Sequence, residues 1–230
     1  MLPRPNMVWH LRVNSNRVRW QRRLKRSLNN SSVKGTFTMR NVGILGGSFD
    51  PVHAGHLALA QAALTTFSLD EVRFMPCSQQ ALKEHQPTPA KDRCAMLRLA
   101  LANAPHFTLD CREVLRGGKT YTFDTLTRLR AEEPQSRFWF IMGMDSVCSF
   151  PRWYQAEALL DCCEFIVFDR PGVEPPETCF SPRLLAHRLK GPMVDLSSTT
   201  IREAVANQQP IRYAMGDLEA RYLRDHHLYL

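Results

Sequence analysis

The stretch GILGGSFDPVHAGHL, residues 43–57, decides the fold of this chain. It begins as a short apolar strand, passes through a Gly-Gly-Ser-Phe-Asp-Pro turn and enters an Ala/Leu-rich segment of helical character. A strand that runs through a glycine turn into a helix is typical of α/β proteins. His53 and His56 lie where the turn meets the helix, so the same stretch also predicts a functional site.

Strand-like and helix-like segments alternate along the rest of the chain. Strands are predicted at EVRFMP (71–76), RFWFIMG (137–143) and EFIVFDRPG (164–172, with a turn), in short pieces within 107–116, and over 193–197. Helices are predicted over 56–67, 90–104, 122–134, 156–162, 199–208 and 216–226, with another near 182–190. This order predicts an α/β class: a Rossmann-like, doubly wound, mostly parallel sheet with helices on both faces.

Charge divides the chain near residue 38. Residues 1–38 contain nine Lys or Arg and no Asp or Glu, which leaves 21 basic against 22 acidic residues in 39–230. A basic arm could bind nucleic acid, act as an organelle transit peptide or be a dispensable leader. Because Met39 directly precedes the first strand, we expect a disordered extension over 1–38 and one domain over 39–230, without nucleic acid as a partner.

Composition narrows the class of protein further. With 44% apolar residues the chain can bury a core, and no apolar run approaches the roughly 20 residues of a membrane span. Its seven cysteines are odd in number and include no C-x-x-C pair, which favours reduced thiols over disulfides or a zinc site. We therefore expect a cytoplasmic protein with no membrane partner; the sequence is also compatible with a homo-oligomer.

The turn after the first strand is the expected ligand site of a doubly wound sheet. Glycines there allow a close backbone approach, and a helix N-terminus suits a phosphate. No Lys-Ser/Thr follows the glycines, and the G-x-G-x-x-G pattern is absent, so neither common phosphate-loop motif applies. His53 and His56 can face one way as phosphate-binding cations, as metal ligands or as packing residues. Their spacing differs from that of zincins, and only Asp50 lies nearby as a third ligand.

A second phosphate-type element is LSSTTIRE, residues 196–203. Ser197, Ser198 and Thr199 crowd a predicted helix start, where hydroxyls can cap the helix or bind phosphate. Arg202 follows one turn later. By itself the segment could be an ordinary cap, but two phosphate-suited helix starts in one chain are a stronger indication.

These motifs resemble those of a known superfamily. GGSFDPVHAGH resembles the G-x-F-D-P-x-H-x-G-H signature of the nucleotidyltransferases, and SSTTIR resembles their I-S-S-T-x-I-R signature. Four further segments are similar to bacterial nicotinate-nucleotide adenylyltransferases: KTYTFDTL (119–126), GMDSVCSFPRWYQAEALLD (143–161), DRPG (169–172) and HHLYL (226–230). The resemblance runs from about residue 40 to the C-terminus. It implies an enzyme of NAD biosynthesis that converts ATP and nicotinate mononucleotide to deamido-NAD and pyrophosphate, with Mg²⁺ on the ATP phosphates.

The resemblance also implies roles for particular residues. The predicted catalytic residues stabilise charge on the phosphates: His53, His56 and Arg202. The predicted ATP-binding residues follow three different elements: Gly46, Gly47, Ser48, Phe49, Gly143, Asp145, Ser197, Ser198 and Thr199. The predicted acceptor-binding residues include two aromatic side chains: Lys83, Tyr121, Thr122, Trp153 and Arg170. None of these residues is predicted to bind a metal ion.

One segment departs from the family pattern. Members usually carry Pro-Pro-His-Lys/Arg after the second strand, whereas this chain reads SQQALKEHQPTP over 78–89. Lys83 matches the basic position, Leu82 replaces the histidine, and His85 is displaced by three residues. Either Lys83 alone serves there, or the loop is rebuilt so that His85 takes the missing place; the departure concerns the contacts of this loop and not the reaction.

Two alternative functions stay open besides the one that the resemblance implies. One is an adenylyltransferase of the same superfamily whose acceptor is nicotinamide mononucleotide or phosphopantetheine. The other is a nucleic-acid-binding protein that uses the basic arm over residues 1–38.

Overall fold

Alternating strands and helices build the chain from Met39 onward. The structure is a computed structural model, and it describes residues 39–80, 87–169, 172–175, 180–190 and 196–230. The strands are β1 (Arg40–Gly47), β2 (Glu71–Pro76), β3 (Gln79–Gln80), β4 (Phe107–Leu109), β5 (Lys119–Thr120), β6 (Ser136–Gly143), β7 (Glu164–Phe168) and β8 (Arg188–Leu189). The helices are α1 (Ala54–Thr66), α2 (Ala90–Leu101), α3 (Arg112–Arg116), α4 (Thr122–Glu132), α5 (Met144–Ser149), α6 (Ala156–Leu159), α7 (Ser198–Ala206) and α8 (Asp217–Asp225). Short 3₁₀ helices cover Phe150–Arg152 and Pro182–Leu185.

The main sheet has six strands in the order β4-β2-β1-β6-β7-β8, and each neighbouring pair is parallel. The chain builds outward from β1 in one direction, through β2 to β4, and then returns to the other side of β1 with β6. The strand order therefore reverses between β1 and β6, which is where a doubly wound sheet opens a crevice at its carboxyl edge. The predicted Rossmann-like parallel sheet is confirmed. A separate parallel pair joins β3 to β5.

Side chains alternate between the two faces of the sheet, as the two-residue period of a strand requires. Along β6, Phe138, Phe140 and Met142 lie in a core shared with Leu126 and Leu129 of α4. Trp139 and Ile141, between them in sequence, lie in a second core. That core also holds buried residues from the two helices on the opposite face: Ala60 and Ala63 of α1, and Met96, Leu97 and Leu101 of α2. Helices thus cover both faces.

Two sequence predictions of secondary structure are wrong in detail. The segment REVLR, predicted as a strand, is helix α3. The carboxylate of Asp110 accepts a hydrogen bond from the N–H of Arg112 at 3.0 Å, which starts a helical turn at this edge of the sheet. The helix predicted near 182–190 is only the 3₁₀ turn Pro182–Leu185, because Arg188 and Leu189 pair with β7 instead.

Several predictions fall where the structure gives no description. The basic extension over 1–38, Arg170, and the loop residues Leu82, Lys83 and His85 lie outside the described residues. So do residues 193–195 of the strand predicted over 193–197; Leu196 and Ser197 are irregular. Within the described part of the chain, no helix is both long enough and apolar enough to cross a membrane.

Candidate active site

The two phosphate-type motifs and Gly143 meet at the carboxyl edge of the sheet. β1 ends at Gly47 and β6 ends at Gly143, and the two strands are parallel neighbours with Leu45 opposite Ile141. Their following loops therefore emerge side by side at the reversal of strand order. This placement is the expected one for a nucleotide-binding crevice.

The loop after β1 turns at Phe49 rather than at its glycines. Gly46 and Gly47 belong to β1, whereas Phe49 has a φ of 49°. The Phe49 side chain is buried and packs against Phe74, with ring centroids 5.7 Å apart. A Cβ on Gly47 would make only ordinary contact with the Phe49 ring, at 3.5 Å. Packing therefore does not demand glycine at position 47, and Phe49 can offer a ligand only its backbone.

His53 and His56 lie in contact at the start of α1, with their ring planes tilted by 35°. His53 is the residue that precedes the helix, and its N–H donates a hydrogen bond to Nδ1 of His56 at 3.3 Å. The centroids of the two imidazole rings lie 3.7 Å apart. The predicted juxtaposition of the two rings is therefore present in the structure, with the pair also serving as a helix cap.

His56 is a neutral donor in this environment rather than a cation. Burial, and to a lesser extent the neighbouring His53, hold the pKa of His56 well below its usual value of 6.5. Because Nδ1 accepts the backbone hydrogen bond, the neutral ring carries its proton on Nε2. Phosphate-binding cations were one of the three roles predicted for the two histidines, beside metal ligands and packing residues. For His56 in the free protein, the pKa direction instead indicates a neutral N–H donor.

The glycine between the two histidines lies close to the His53 ring. A Cβ on Gly55 would lie 3.0 Å from the His53 ring, which is tighter than ordinary contact. A side chain at position 55 would therefore need the imidazole to move by a few tenths of an ångström. No role for Gly55 was predicted from the sequence, although its place between the two histidines of the motif was the available signal.

Helix α7 docks its N-terminus directly onto the loop after β1. Ser198 Oγ donates to the carbonyl of Pro51 at 2.9 Å, and Arg202 Nη1 donates to the carbonyl of Asp50 at 2.8 Å. The partners are 147 and 152 residues apart in the chain. Arg202 Nη2 also donates to Thr199 Oγ1 at 3.2 Å. The two motifs, separate in sequence, therefore form one surface.

Ser197 caps α7. Its hydroxyl accepts a hydrogen bond from the N–H of Thr200 at 3.1 Å. The N-termini of α1 and α7 both lie at the loop formed by residues 48–53. The positive ends of two helix dipoles are therefore neighbours. Such an arrangement suits a ligand with several phosphate groups.

Asp50 is a buried carboxylate that ties the loop to two distant segments. Its Oδ1 accepts a hydrogen bond from the Tyr229 hydroxyl at 2.8 Å, and its Oδ2 accepts one from the N–H of Thr88 at 3.3 Å. Burial, followed by the charge of Asp50, raises the pKa of Tyr229, so its hydroxyl stays protonated and remains a donor. Tyr229 lies in the closing HHLYL segment, and its role was not foreseen from the sequence.

Gly143 and Asp145 lie at the turn from β6 into α5. Gly143 is the residue before the helix, and the Asp145 side chain is exposed. A Cβ on Gly143 would lie 2.5 Å from Asp145 Oδ1, so the carboxylate occupies the space that a side chain at 143 would need. Asp145 therefore presents a solvent-accessible carboxylate beside the carboxyl end of the central strands, as a ribose-binding role requires.

The predicted acceptor-binding aromatics differ in exposure. Trp153 is half-buried: its indole N–H donates to Ser149 Oγ at 3.3 Å, and its ring packs on Phe150. Tyr121 precedes α4, which begins at Thr122, and the Tyr121 ring centroid lies 4.9 Å from that of Tyr154. Tyr154 is 49% exposed. Tyr154 was not among the residues predicted from the sequence, although it directly follows Trp153.

The β3–β5 pair brings Tyr121 beside the loop after β2. Gln79 pairs with Lys119, and Thr120 Oγ1 donates to the carbonyl of Gln79 at 2.8 Å. Gln80 pairs with Thr120, so the described part of this segment ends beside the residue that precedes Tyr121. Among the residues that the structure describes, no group of three or more His, Cys, Asp or Glu is arranged to hold a metal ion.

Comparison with known proteins identifies the class that this fold and site define. Residues 44–204 match the family model described as cytidylyltransferase-like. The matched region begins in β1 and ends in α7, so it includes both helix starts of the site.

Curated relatives narrow the class. One from Herpetosiphon aurantiacus, named "Probable nicotinate-nucleotide adenylyltransferase", is 39% identical over 84% of this chain and 100% of its own length. Another of the same name, from Lactiplantibacillus plantarum, is 38% identical over 83% of this chain and 88% of its own length. The chain belongs to the cytidylyltransferase-like family and, within it, to the nicotinate-nucleotide adenylyltransferases. The prediction that the chain belongs to this family is confirmed, and so is the prediction that it is a nucleotidyltransferase.

A solved structure supports the fold. Nicotinic acid mononucleotide adenylyltransferase of Plasmodium falciparum, complexed with NaAD, superposes with a TM-score of 0.69 at 22% identity. The match covers 83% of this chain and 97% of that one. The parallel sheet and its helices are therefore those of the structural class to which the relatives belong.

Proposed function

We propose that this chain transfers the adenylyl group of ATP to nicotinate mononucleotide, releasing pyrophosphate and forming deamido-NAD in NAD biosynthesis. The observation that carries the proposal is the direct contact between the two motifs, in which α7 donates from Ser198 and Arg202 to the loop that carries His53. Two helix N-termini at one loop suit a triphosphate. Curated relatives that bear the name of this activity match the chain over most of its length.

The chemistry needs positioning rather than a protein nucleophile. A phosphate oxygen of the mononucleotide is already anionic; it attacks the α-phosphorus of ATP, the bond between α-phosphorus and the bridging oxygen breaks, and pyrophosphate leaves. The enzyme has to hold the reactants in line and stabilise the charge that develops. We assign the neutral Nε2–H of His56, together with His53, to the α-phosphate.

We assign the β- and γ-phosphates to the N-terminus of α7. Ser197, Ser198 and Thr199 open this helix, and Arg202 lies one turn further on. The Arg202 guanidinium already donates to Asp50 and Thr199, but a guanidinium has five N–H groups and can still serve an anion. Gly46, Gly47, Ser48 and the Phe49 backbone would lie along the nucleotide, and Gly143 and Asp145 would contact its adenosine.

Mg²⁺ fits this arrangement as a companion of ATP. The described residues at the site present N–H groups, hydroxyls and a guanidinium, which complement phosphate oxygens, and no described carboxylate cluster forms a cage. Mg²⁺ is commonly carried by substrate phosphates and water with few protein ligands. When bound there it would neutralise charge on the polyphosphate.

Three partly or fully exposed aromatic side chains support a pyridine nucleotide as the acceptor. Tyr121 and Tyr154 lie in contact, and Trp153 is adjacent in sequence to Tyr154. Aromatic faces stack well on a planar ring such as nicotinate, whereas phosphopantetheine has no ring to stack. We assign Tyr121, Thr122 and Trp153 to the acceptor on these grounds. Lys83 and Arg170 remain assigned by family resemblance alone.

A pyrophosphate-release assay with three acceptors tests the proposal. We expect turnover with ATP and nicotinate mononucleotide, with deamido-NAD identified by mass, and weaker turnover with nicotinamide mononucleotide or phosphopantetheine. No turnover with nicotinate mononucleotide, beside turnover with another acceptor, would overturn the acceptor assignment. Trp153→Phe should raise the KM for the mononucleotide more than the KM for ATP.

We further propose that the N-terminal extension, residues 1–38, is dispensable for turnover. We expect a chain that begins at Met39 to keep its turnover, since 84% of this chain matches the full length of a curated relative. If the extension instead binds nucleic acid, the full chain should show salt-sensitive binding that the shorter chain lacks.

A cytoplasmic location is supported by the described cysteines, which are free thiols: Cys77, Cys94, Cys111, Cys148, Cys162 and Cys163.

A further inference from the structure

Arg93 is a buried arginine that lies beneath the candidate site and takes no part in the assignments above. It belongs to α2 and is 1% exposed. Four main-chain carbonyl oxygens accept hydrogen bonds from its guanidinium: those of Ser48 at 2.5 Å, Cys77 at 2.9 Å, Ser78 at 3.4 Å and Thr88 at 2.8 Å. A full charge is costly to bury, so a side chain held in this way indicates a geometric requirement.

The four carbonyls belong to the two loops that carry the predicted substrate contacts. Ser48 lies in the loop after β1, which leads to His53. Cys77 and Ser78 open the loop after β2, and Thr88 closes it before α2. One guanidinium therefore joins the ATP-side loop to both ends of the acceptor-side loop.

Two other contacts hold the same loops at the same separation. The N–H of Cys77 donates to the carbonyl of Gly47 at 2.9 Å, and the N–H of Thr88 donates to the Asp50 carboxylate at 3.3 Å. Thr88 is thus held through its carbonyl by Arg93 and through its N–H by the loop after β1. The arrangement is a closed set of hydrogen bonds rather than a single contact.

Only arginine among the side chains matches this set of acceptors. The guanidinium directs five N–H groups in a rigid plane, whereas a lysine ammonium is a point charge with three donors on a flexible stem. Arg93 spreads its donors over Nε, Nη1 and Nη2, each toward a different stretch of backbone. Lysine would keep the charge but lose the fixed set of donors, and only the two contacts from Cys77 and Thr88 would then join the loops.

We propose that Arg93 is a positioning residue that sets the distance between the ATP loop and the acceptor loop, and thereby aligns the two substrates. This inference rests on the proposed adenylyl transfer. In-line attack depends on the separation of the reacting phosphates, and a misplacement of about 1 Å can lower a rate by about 100-fold. Arg93 acts through the backbone of both loops and contacts neither substrate.

The test compares Arg93→Lys with Arg73→Lys. Arg73 is a matched control because it is also a buried arginine, with hydrogen bonds to Glu71 and Glu133 near the amino ends of the strands, away from the loops. We expect both variants to lose thermal stability. Only Arg93→Lys should lose turnover, by about 100-fold in single-turnover measurements, while dissociation constants for ATP and for the mononucleotide, measured separately, change by less than about tenfold.

Equal turnover of Arg93→Lys and wild type, or equal losses in the two variants, would overturn the positioning role. If Arg93→Lys fails to fold, hydrogen exchange on the wild-type protein tests whether the two loops are coupled. A non-hydrolysable ATP analogue should then protect the Cys77 and Thr88 amides as well as the loop after β1; protection confined to the latter would refute the coupling. Hydrogen exchange does not depend on turnover. Failure of the proposed function is therefore recognised separately, because the wild-type enzyme would then be inactive on nicotinate mononucleotide.

Discussion

Replacing His56 tests the chemistry of the site because its imidazole has two separable roles. Nδ1 accepts a hydrogen bond from the N–H of His53 at 3.3 Å and so caps α1. Nε2 carries the proton of the neutral ring and is the proposed donor to the α-phosphate. In His56→Asn the amide oxygen lies close to the position of Nδ1, whereas in His56→Gln the amide nitrogen reaches toward the position of Nε2.

The two roles predict losses of different size in stability and in turnover. Loss of a helix cap lowers the free energy of unfolding by about 1 kcal/mol. Loss of one donor that stabilises transition-state charge lowers turnover by about 100- to 1,000-fold, or about 2.7–4 kcal/mol. We therefore expect His56→Ala to show both losses, His56→Asn to lose turnover with little loss of stability, and His56→Gln to lose stability while keeping more turnover than the other two.

Pyrophosphate release at saturating ATP and nicotinate mononucleotide, with thermal unfolding of each variant, measures both effects. His106→Ala is a suitable control, because His106 is an exposed histidine whose Nδ1 lies 3.2 Å from the carbonyl of Asp70, before β2. Its turnover should equal that of the wild type. Wild-type turnover in folded His56→Ala or His56→Asn would refute the donor role.

Three further predictions follow from the structure. The pKa of His56 is lowered by folding, so the unfolded chain takes up this proton first. The free energy of unfolding should therefore fall as pH drops below about 6.5, by about 1.4 kcal/mol per unit between the two pKa values. His56→Asn should show a shallower fall in urea titrations, and an unchanged slope would contradict the assignment. Gly55→Ala gains about 1 kcal/mol of helix propensity but places a Cβ 3.0 Å from the His53 imidazole. We therefore expect near-normal stability, with turnover reduced by about tenfold or more because the imidazole is displaced. Normal kinetics would show that the His53 ring moves aside without affecting turnover. Tyr229→Phe removes the donor 2.8 Å from Asp50 and should lower the free energy of unfolding by about 1.5–3 kcal/mol, whereas Tyr213→Phe, with a side chain that is 84% exposed, should not change it in the same denaturation experiment.

The local features of this protein were predictable because they are written in short stretches of sequence. β2 has the predicted bounds, 71–76, because apolar residues alternate with charged ones from Glu71 to Phe74 and Pro76 ends the segment. Ser197 was predicted at a helix start, and its hydroxyl caps α7. The segment 112–116 was mistaken for a strand, because five residues contain too little periodicity to separate the two structures.

The contacts among distant residues were not predictable in the same way. No local signal marks Arg93 as the partner of Ser48, or Tyr229 as the partner of Asp50, since the partners are 45 and 179 residues apart. Phe49 looked like a site residue by its position in the motif, yet its ring is buried under the loop. The ring packs against Phe74 and His56, and the φ of 49° at Phe49 is a property of the folded turn.

The fold class, the two phosphate-type helix starts and the family could be read from the sequence, because hydrophobic period, helix caps and short motifs depend on neighbouring residues. The tertiary structure alone decided that α7 docks on the loop after β1, and that one buried guanidinium joins that loop to the next. Strand order and register bring such segments together, and they depend on packing across the whole sheet. The burial that lowers the pKa of His56, and makes it a neutral donor rather than a cation, has the same origin.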